Sequence, residues 1–216
     1  DQQAAWRGTI AEVVPVSDFR TQRRLRFGGY GNLPTVGQGA PYTALTSPAD
    51  EEATYAASKR GGTEQITIEM IANDDVGAIR RIPSRLARAA MQTLYEFVFD
   101  FMATNANVYD GAALAVAGHG SNIITTALTG SNLSSARLKM RNQTDMSNGK
   151  KIGLAARFLW VPNDLEELGF QLTTADRAMP DANPTTTAMP AAPNWLKKVN
   201  ITCIPVDYWG DANNYW

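Results

Sequence analysis

The chain has 216 residues, with 20 basic and 21 acidic side chains and a formal charge of −1. That length can bury a real core, in one domain or two small ones, and the near-neutral balance excludes a molecule that grips nucleic acid through its overall charge. A single cysteine, Cys203, excludes an intramolecular disulfide framework and fits a reducing compartment.

The chain opens at Asp1 rather than at an initiator methionine, which reads as proteolytic maturation or as trimming. Residues 1–18 form an expected extended arm. Ile10, Val13, Val14 and Val16 are β-branched, and Pro15 disfavours both a helix and a central strand. The arm is apolar without being amphipathic, so it needs a covering surface, such as that of a neighbouring subunit.

Residues 19–72 read as a long hairpin excursion. One side is FRTQRRLRF, and the tip carries Gly28, Gly29, Gly31, Gly37 and Gly39 with Pro34 and Pro41. The return passes through ADEEATY and is expected to pair again as a strand over 64–70, where Ile66, Ile68 and Met70 alternate with Thr67 and Glu69. A hairpin this long and polar is not stable alone, so packing outside its own domain is expected to hold it.

A short helical turn is expected over 76–81, followed by a long helix over 83–104. Leu86, Ala90, Leu94, Val98 and Phe101 recur at spacings of four, four, four and three, and Pro83 suits a first helical turn. At about 1.5 Å per residue this helix spans roughly 33 Å. The run 94–102 is the most apolar of the chain, yet Glu96 and Asp100 interrupt it, and neither a membrane span nor a secretory signal is visible.

A turn at Asp110-Gly111 and a small-residue loop to Gly130 lead to a helix over 131–143, with Ser131 as its expected N-cap. KIGLAARFLWV (151–161) reads as a strand covered on both faces. Asn163 with Glu166 then suggests a capping box for a helix to about 174. A proline-rich loop over 175–194 precedes a second buried strand over 199–206, which Pro205 places near an edge or at its end. No internal repeat appears.

Candidate chemistry is sparse. His119 is the only histidine and Cys203 the only thiol, which nearly excludes a zinc site of the His and Cys type. A Ser–His–Asp triad stays open, since its members need not be close in sequence, but no strand–Gly-x-Ser-x-Gly–helix context occurs. A turn histidine is the simpler reading. Gly28, Gly29 and Gly31 lack the following helix that a phosphate loop requires. Asp74 and Asp75, like Asp164, Glu166 and Glu167, are expected to cap helix starts rather than to bind a cation. No catalytic, cofactor-binding or metal-binding residue is therefore assigned, and no cofactor is expected. Arg20, Arg23, Arg24 and Arg26 form the densest basic patch, and Asp50, Glu51 and Glu52 the densest acidic one. Both read either as solvated faces or as candidate intersubunit contacts that set register, because charge complementarity supplies specificity more than affinity.

Taken in order, these segments resemble a known family. They are SDFR (17–20), the Gly-rich hairpin, ITIEMIANDD (66–75), the long helix, Asp110-Gly111, GHGSN (118–122), ARLKMRNQTD (136–145), FLWVPNDLEE (158–167) and DANNYW (211–216). The chain, from about Trp6 onward, resembles the major capsid proteins of tailed bacteriophages and prophages, of the Mu-like major head subunit type. The resemblance implies an α+β tailed-phage major capsid fold. Its parts are an N-terminal arm (1–18), an extended hairpin loop (19–72), a peripheral domain with a spine helix (73–110) and an axial α/β domain (111–216). It further implies a non-enzymatic structural protein. Pentamers and hexamers would close into an icosahedral shell around double-stranded DNA, without sequence-specific binding and without a membrane. Scaffold, protease and portal proteins would be partners, and the virion, assembled in the bacterial host cytoplasm, the location. Relatives continue beyond the segment matching DANNYW, so a chain ending at Trp216 reads as truncated or incomplete. No crosslinking lysine–asparagine motif can be matched, although Lys59 lies on the loop. Two alternatives remain: an encapsulin-like nanocompartment shell enclosing protein cargo, and an enzyme, such as a hydrolase, using His119 or Asp74-Asp75.

Overall fold

The computed structural model describes residues 6–74, 77–145, 147–178, 193–210 and 215. It mixes helices with two small sheets, an α+β arrangement, and divides into two compact units. The first comprises Asp1–Gln22 and Tyr55–Thr104, and the second Arg23–Thr54 and Asn105–Trp216.

In the first unit, residues 6–11 form a tight turn in which the N–H groups of Thr9, Ile10 and Ala11 donate to the Trp6 carbonyl. The Arg7 guanidinium lies 5.2 Å from the Trp6 ring centroid. Beyond it the arm has no regular structure, and Val13 and Phe19 stand in solvent. Helix α1 (Ile68–Ala72) occupies the stretch expected to be a returning strand. The Thr67 hydroxyl accepts from the Met70 N–H at 3.3 Å, and Glu69 sits in the first turn facing the positive end of the helix. Alternation of apolar residues makes a strand only where another strand can complete the ladder, and here a local cap competes successfully. Asp74 behaves as expected, accepting from Ala78 N–H at 2.7 Å and Ile79 N–H at 3.1 Å ahead of a short 3₁₀ turn, Ile79–Arg81. Asp75 and Val76 lie outside the described residues.

Helix α2 (Ile82–Ala103) is the predicted long helix, with proline in its first turn. Only Tyr95, Phe99 and Met102 are buried along its 22 residues. Tyr95 and Phe99 pack ring to ring at 4.8 Å, and the Arg60 guanidinium lies 4.7 Å from the Phe97 centroid.

In the second unit, strands β1 (Gln22–Phe27) and β2 (Asp50–Tyr55) pair as a two-stranded sheet, so the hairpin closes through Asp50–Tyr55 rather than over 64–70. Helix α3 (Gly130–Arg141) starts one residue earlier than expected, because the Thr129 hydroxyl, not that of Ser131, accepts from Asn132 N–H. Strands β3 (Phe158–Pro162) and β4 (Thr202–Val206) pair in parallel, with Leu159 opposite Cys203 and Val161 opposite Pro205. Both are shorter than expected. Gly153 at φ +75° breaks the extended backbone ahead of β3. A 3₁₀ turn, Trp195–Val199, ends on Asn200 in the left-handed region just before β4. Helix α4 (Glu166–Thr174) packs on this pair after a 3₁₀ turn, Asn163–Leu165. Asn163 makes no capping box; its amide donates to the Asp207 carbonyl at 3.1 Å. Glu166 and Glu167 do occupy the first helical turn.

The core of this unit is Leu128, Leu133, Leu159, Val161, Leu172, Leu196, Ile201 and Cys203. A Cβ on Gly169 would meet the Cys203 sulfur at 2.6 Å, so α4 lies directly on β4 only because that position is glycine. Burial pushes the Cys203 thiol up to about 11, which leaves it an inert core group. Buried Asn194 donates to the carbonyls of Leu172 and Ala175 and accepts from Leu196 N–H, stitching the segment after α4 onto the core. Most of the expected loop over 175–194 lies outside the described residues.

Candidate functional site

The two charged patches meet along β1 and β2. Arg23 engages Glu52 through Nε and Nη2, one donor to each carboxylate oxygen, in a fork-to-fork pair. That pairing holds Glu52 below the ordinary carboxylate range. Arg26 Nη1 lies 3.5 Å from Glu51 Oε2. The Tyr109 hydroxyl donates to the same oxygen at 2.8 Å, which raises the phenol's pKa. Arg20 Nε sits 3.9 Å from Asp18. Arg24 is exposed on β1 and Asp50 is exposed at the start of β2. The patches thus stabilise the strand pair of their own chain, and Arg20 turns to a local aspartate.

A second set of contacts anchors the base of the glycine-rich excursion. Gly29 N–H donates to Asp145 Oδ2 at 3.2 Å. The Asn148 amide donates to the carbonyls of Gly29 and Tyr30 at 2.9 and 3.2 Å. The Ser147 hydroxyl donates to the Ala49 carbonyl at 3.2 Å. Gly28 has no room for a side chain, since a Cβ there would lie 2.6 Å from the Ala49 carbonyl oxygen. Backbone donors from Ser147 first, then Gly29, hold Asp145 below its usual range. The turn itself is legible in the sequence, because Asp, Ser, Asn and Gly make Asx turns. Its contact with a glycine about 120 residues earlier has no local signal.

His119 lies in a turn and faces two acceptors. Nε2 is 2.8 Å from Asp110 Oδ2, and Nδ1 is 3.2 Å from the Leu114 carbonyl. The imidazolium, with two N–H donors, satisfies both. Asp110 accordingly raises the histidine above its ordinary value and is itself lowered. A general base needs a ring nitrogen aimed at a hydroxyl or water; here both nitrogens staple the loop. Asn105 and Asn122 brace the same loop through Ala115, Val116 and Leu114. Among the described residues no group of three or more His, Cys, Asp or Glu side chains gathers to hold a metal ion. No helix of the described residues is long and apolar enough to cross a membrane. A shallow cleft of about 220 Å³ beside Glu51 and Tyr109 is smaller than the pockets that hold drug-sized ligands.

What the surface offers instead is apolar area. On the excursion, Phe27, Tyr30, Leu33 and Tyr42 are exposed, Tyr42 to 90%. On α1, Ile68, Met70 and Ile71 are exposed, and on α2 so are Leu86, Leu94, Phe97 and Phe101. Single exposed apolar side chains are ordinary, but rows of them mark surfaces that other protein covers.

No curated protein matches this chain, and no solved structure matches it. The family described as "Phage capsid protein" matches residues 50–216, a stretch that runs from β2 through α2 to the end of the β3–α4–β4 core. The match spans more than half of the chain, which therefore belongs to the phage capsid protein family, a structural family.

Proposed function

We propose that this chain is a major head subunit of the tailed-phage type, which assembles into a closed icosahedral shell enclosing double-stranded DNA. The observation that carries the reading beyond the family is the run of exposed apolar side chains on the arm, the excursion, α1 and α2. Assembly interfaces are built from such surfaces, with an apolar centre and a polar rim. In this reading residues 1–18 are the arm, 19–72 the extended loop, α2 the spine helix of a peripheral domain over 73–110, and 111–216 the axial domain. Subunits would group as pentamers and hexamers, with scaffold, protease and portal proteins as assembly partners, in the host cytoplasm before residence in the virion.

The charged strands contribute to register in this proposal. Arg23–Glu52 and Arg26–Glu51 shape the face that meets a neighbour, and Arg20, Arg24 and Asp50 flank it. Charge at such rims governs which partner docks and how fast, more than how tightly.

Negative-stain electron microscopy of the purified protein beside mass photometry tests the reading. Closed shells, or rings of five and six, are expected, with nuclease-protected duplex DNA in particles made in the host. Host protein cargo in place of DNA would move the assignment to a nanocompartment shell. A monomer under every salt and pH condition would overturn the assembly reading.

A further inference from the structure

The near-zero net charge conceals one concentrated patch that neither the hairpin nor the core absorbs. Arg80, Arg81, Arg85 and Arg88 are all exposed around the start of α2. None pairs with a carboxylate among the described residues. No acidic residue occurs from position 77 to position 95, and the first turn of α2 contains none. The helix dipole disfavours cations in the first turn, where Arg81 caps the helix and Arg85 follows.

Their placement separates them from the apolar row of the same helix. Arg81, Arg85 and Arg88 are spaced by four and three and share a face. Leu86, Ala90, Leu94, Phe97 and Phe101 form a second row. Arg85 and Leu94 are nine residues apart, about two and a half turns, and so lie on opposite sides. Further along the arginine side come Tyr95, Phe99 and Met102, the only buried positions of the helix. That side is therefore covered at its C-terminal end and bare where the arginines stand. The apolar row suits protein; the arginine row suits an anion. The densest acidic patch of another copy is a poor candidate, because its Glu51 and Glu52 are already engaged by Arg26, Tyr109 and Arg23.

We infer that the Arg81–Arg85–Arg88 row, with Arg80 beside it, is a contact surface for the phosphate backbone of double-stranded nucleic acid. The inference rests on the DNA-enclosing role proposed above. Arg81 and Arg88 are about 10 Å apart along the axis. Duplex DNA carries a charge every ~1.7 Å of its length, so the row meets neighbouring phosphates, and guanidinium groups bind phosphate oxygens in pairs. Such contacts position DNA without reading its sequence.

The test is fluorescence anisotropy of a short labelled duplex with dispersed full-length subunits, alongside particle yield. With about four phosphates neutralised, wild-type affinity should fall roughly a hundredfold between 50 and 200 mM salt. The triple variant Arg81→Gln, Arg85→Gln, Arg88→Gln should bind weakly with a nearly flat salt dependence, while forming particles at wild-type yield. The matching Arg→Lys triple should keep the salt-dependent binding, which separates charge from folding. Unchanged binding by the glutamine variant would overturn the inference. So would loss of assembly with unchanged binding, since the row would then serve contacts between copies. Wild-type subunits that never form shells would count against the capsid-shell reading alone, and their binding curve would still decide this one.

Discussion

The β3–α4–β4 core and helix α2 carry similar apolar content to different ends. Leu159, Val161, Leu172 and Cys203 are covered by their own chain. Leu86, Leu94, Phe97 and Phe101 repeat at helical spacing just as regularly and remain exposed. Apolar periodicity alone therefore does not say whether a surface closes within a subunit or between subunits. The difference lies in geometry. A parallel strand pair with a helix laid over it encloses a volume, whereas the 22-residue helix α2 buries only Tyr95, Phe99 and Met102 and leaves most of its surface exposed.

The contrast can be broken most forcefully at the core. Leu172→Ala should cost about 2–5 kcal/mol of subunit stability by removing a buried side chain, read by chemical denaturation. Leu94→Ala, at the same residue type on α2, should cost within about 0.5 kcal/mol yet lower particle yield. Equal losses of stability from both would show that α2 is covered within the subunit. Gly28→Ala comes next. Its methyl group would press on the Ala49 carbonyl and Ser147, at about 1–3 kcal/mol, and should speed hydrogen exchange at Gly29. The ion pair of β1 and β2 should matter less to stability than to pairing. Arg23→Glu should loosen the strands and impair assembly, and adding Glu52→Arg should restore both, as measured by exchange and particle counts. The smallest effect concerns the loop held by His119. Its pKa is raised above the usual 6.5 by Asp110, so the added stability is complete below that value and is lost as pH rises through the folded-state pKa. As the only histidine, it gives a single imidazole titration by NMR, and Asp110→Asn should lower the midpoint.

Elements defined by local pattern are legible in the sequence alone. The α2 helix announces itself through Leu86, Ala90, Leu94 and Phe101 and through Pro83, and the β3 and β4 cores through short runs of Val, Ile, Leu and Trp. Misreadings arose where two local rules compete. Ile66–Met70 alternates like a strand, but Thr67 can cap a helix and does. Thr129 and Ser131 both carry capping hydroxyls, and backbone geometry at Thr129 decides. The strand expected from Lys151 yields at Gly153. The site was legible only as composition. Arg23 and Glu52 were visible as patches of opposite sign, but their pairing along one sheet was not. The turn at Asp145, Ser147 and Asn148 was legible, but its contacts with Gly29 and Ala49, and that of Tyr109 with Glu51, were not, because those partners lie far away in the chain.

By itself, then, the sequence determined the long helix, the cap at Asp74 and the positions of the two apolar strands β3 and β4. Residue spacing and turn chemistry act over a few positions, and those features need nothing more. Only the tertiary structure decided which apolar faces close within the subunit, which charges find partners in their own chain, and that both nitrogens of His119 are committed to its loop. Those outcomes depend on distances between residues remote in sequence, and hydrogen bonds and packing act only at contact.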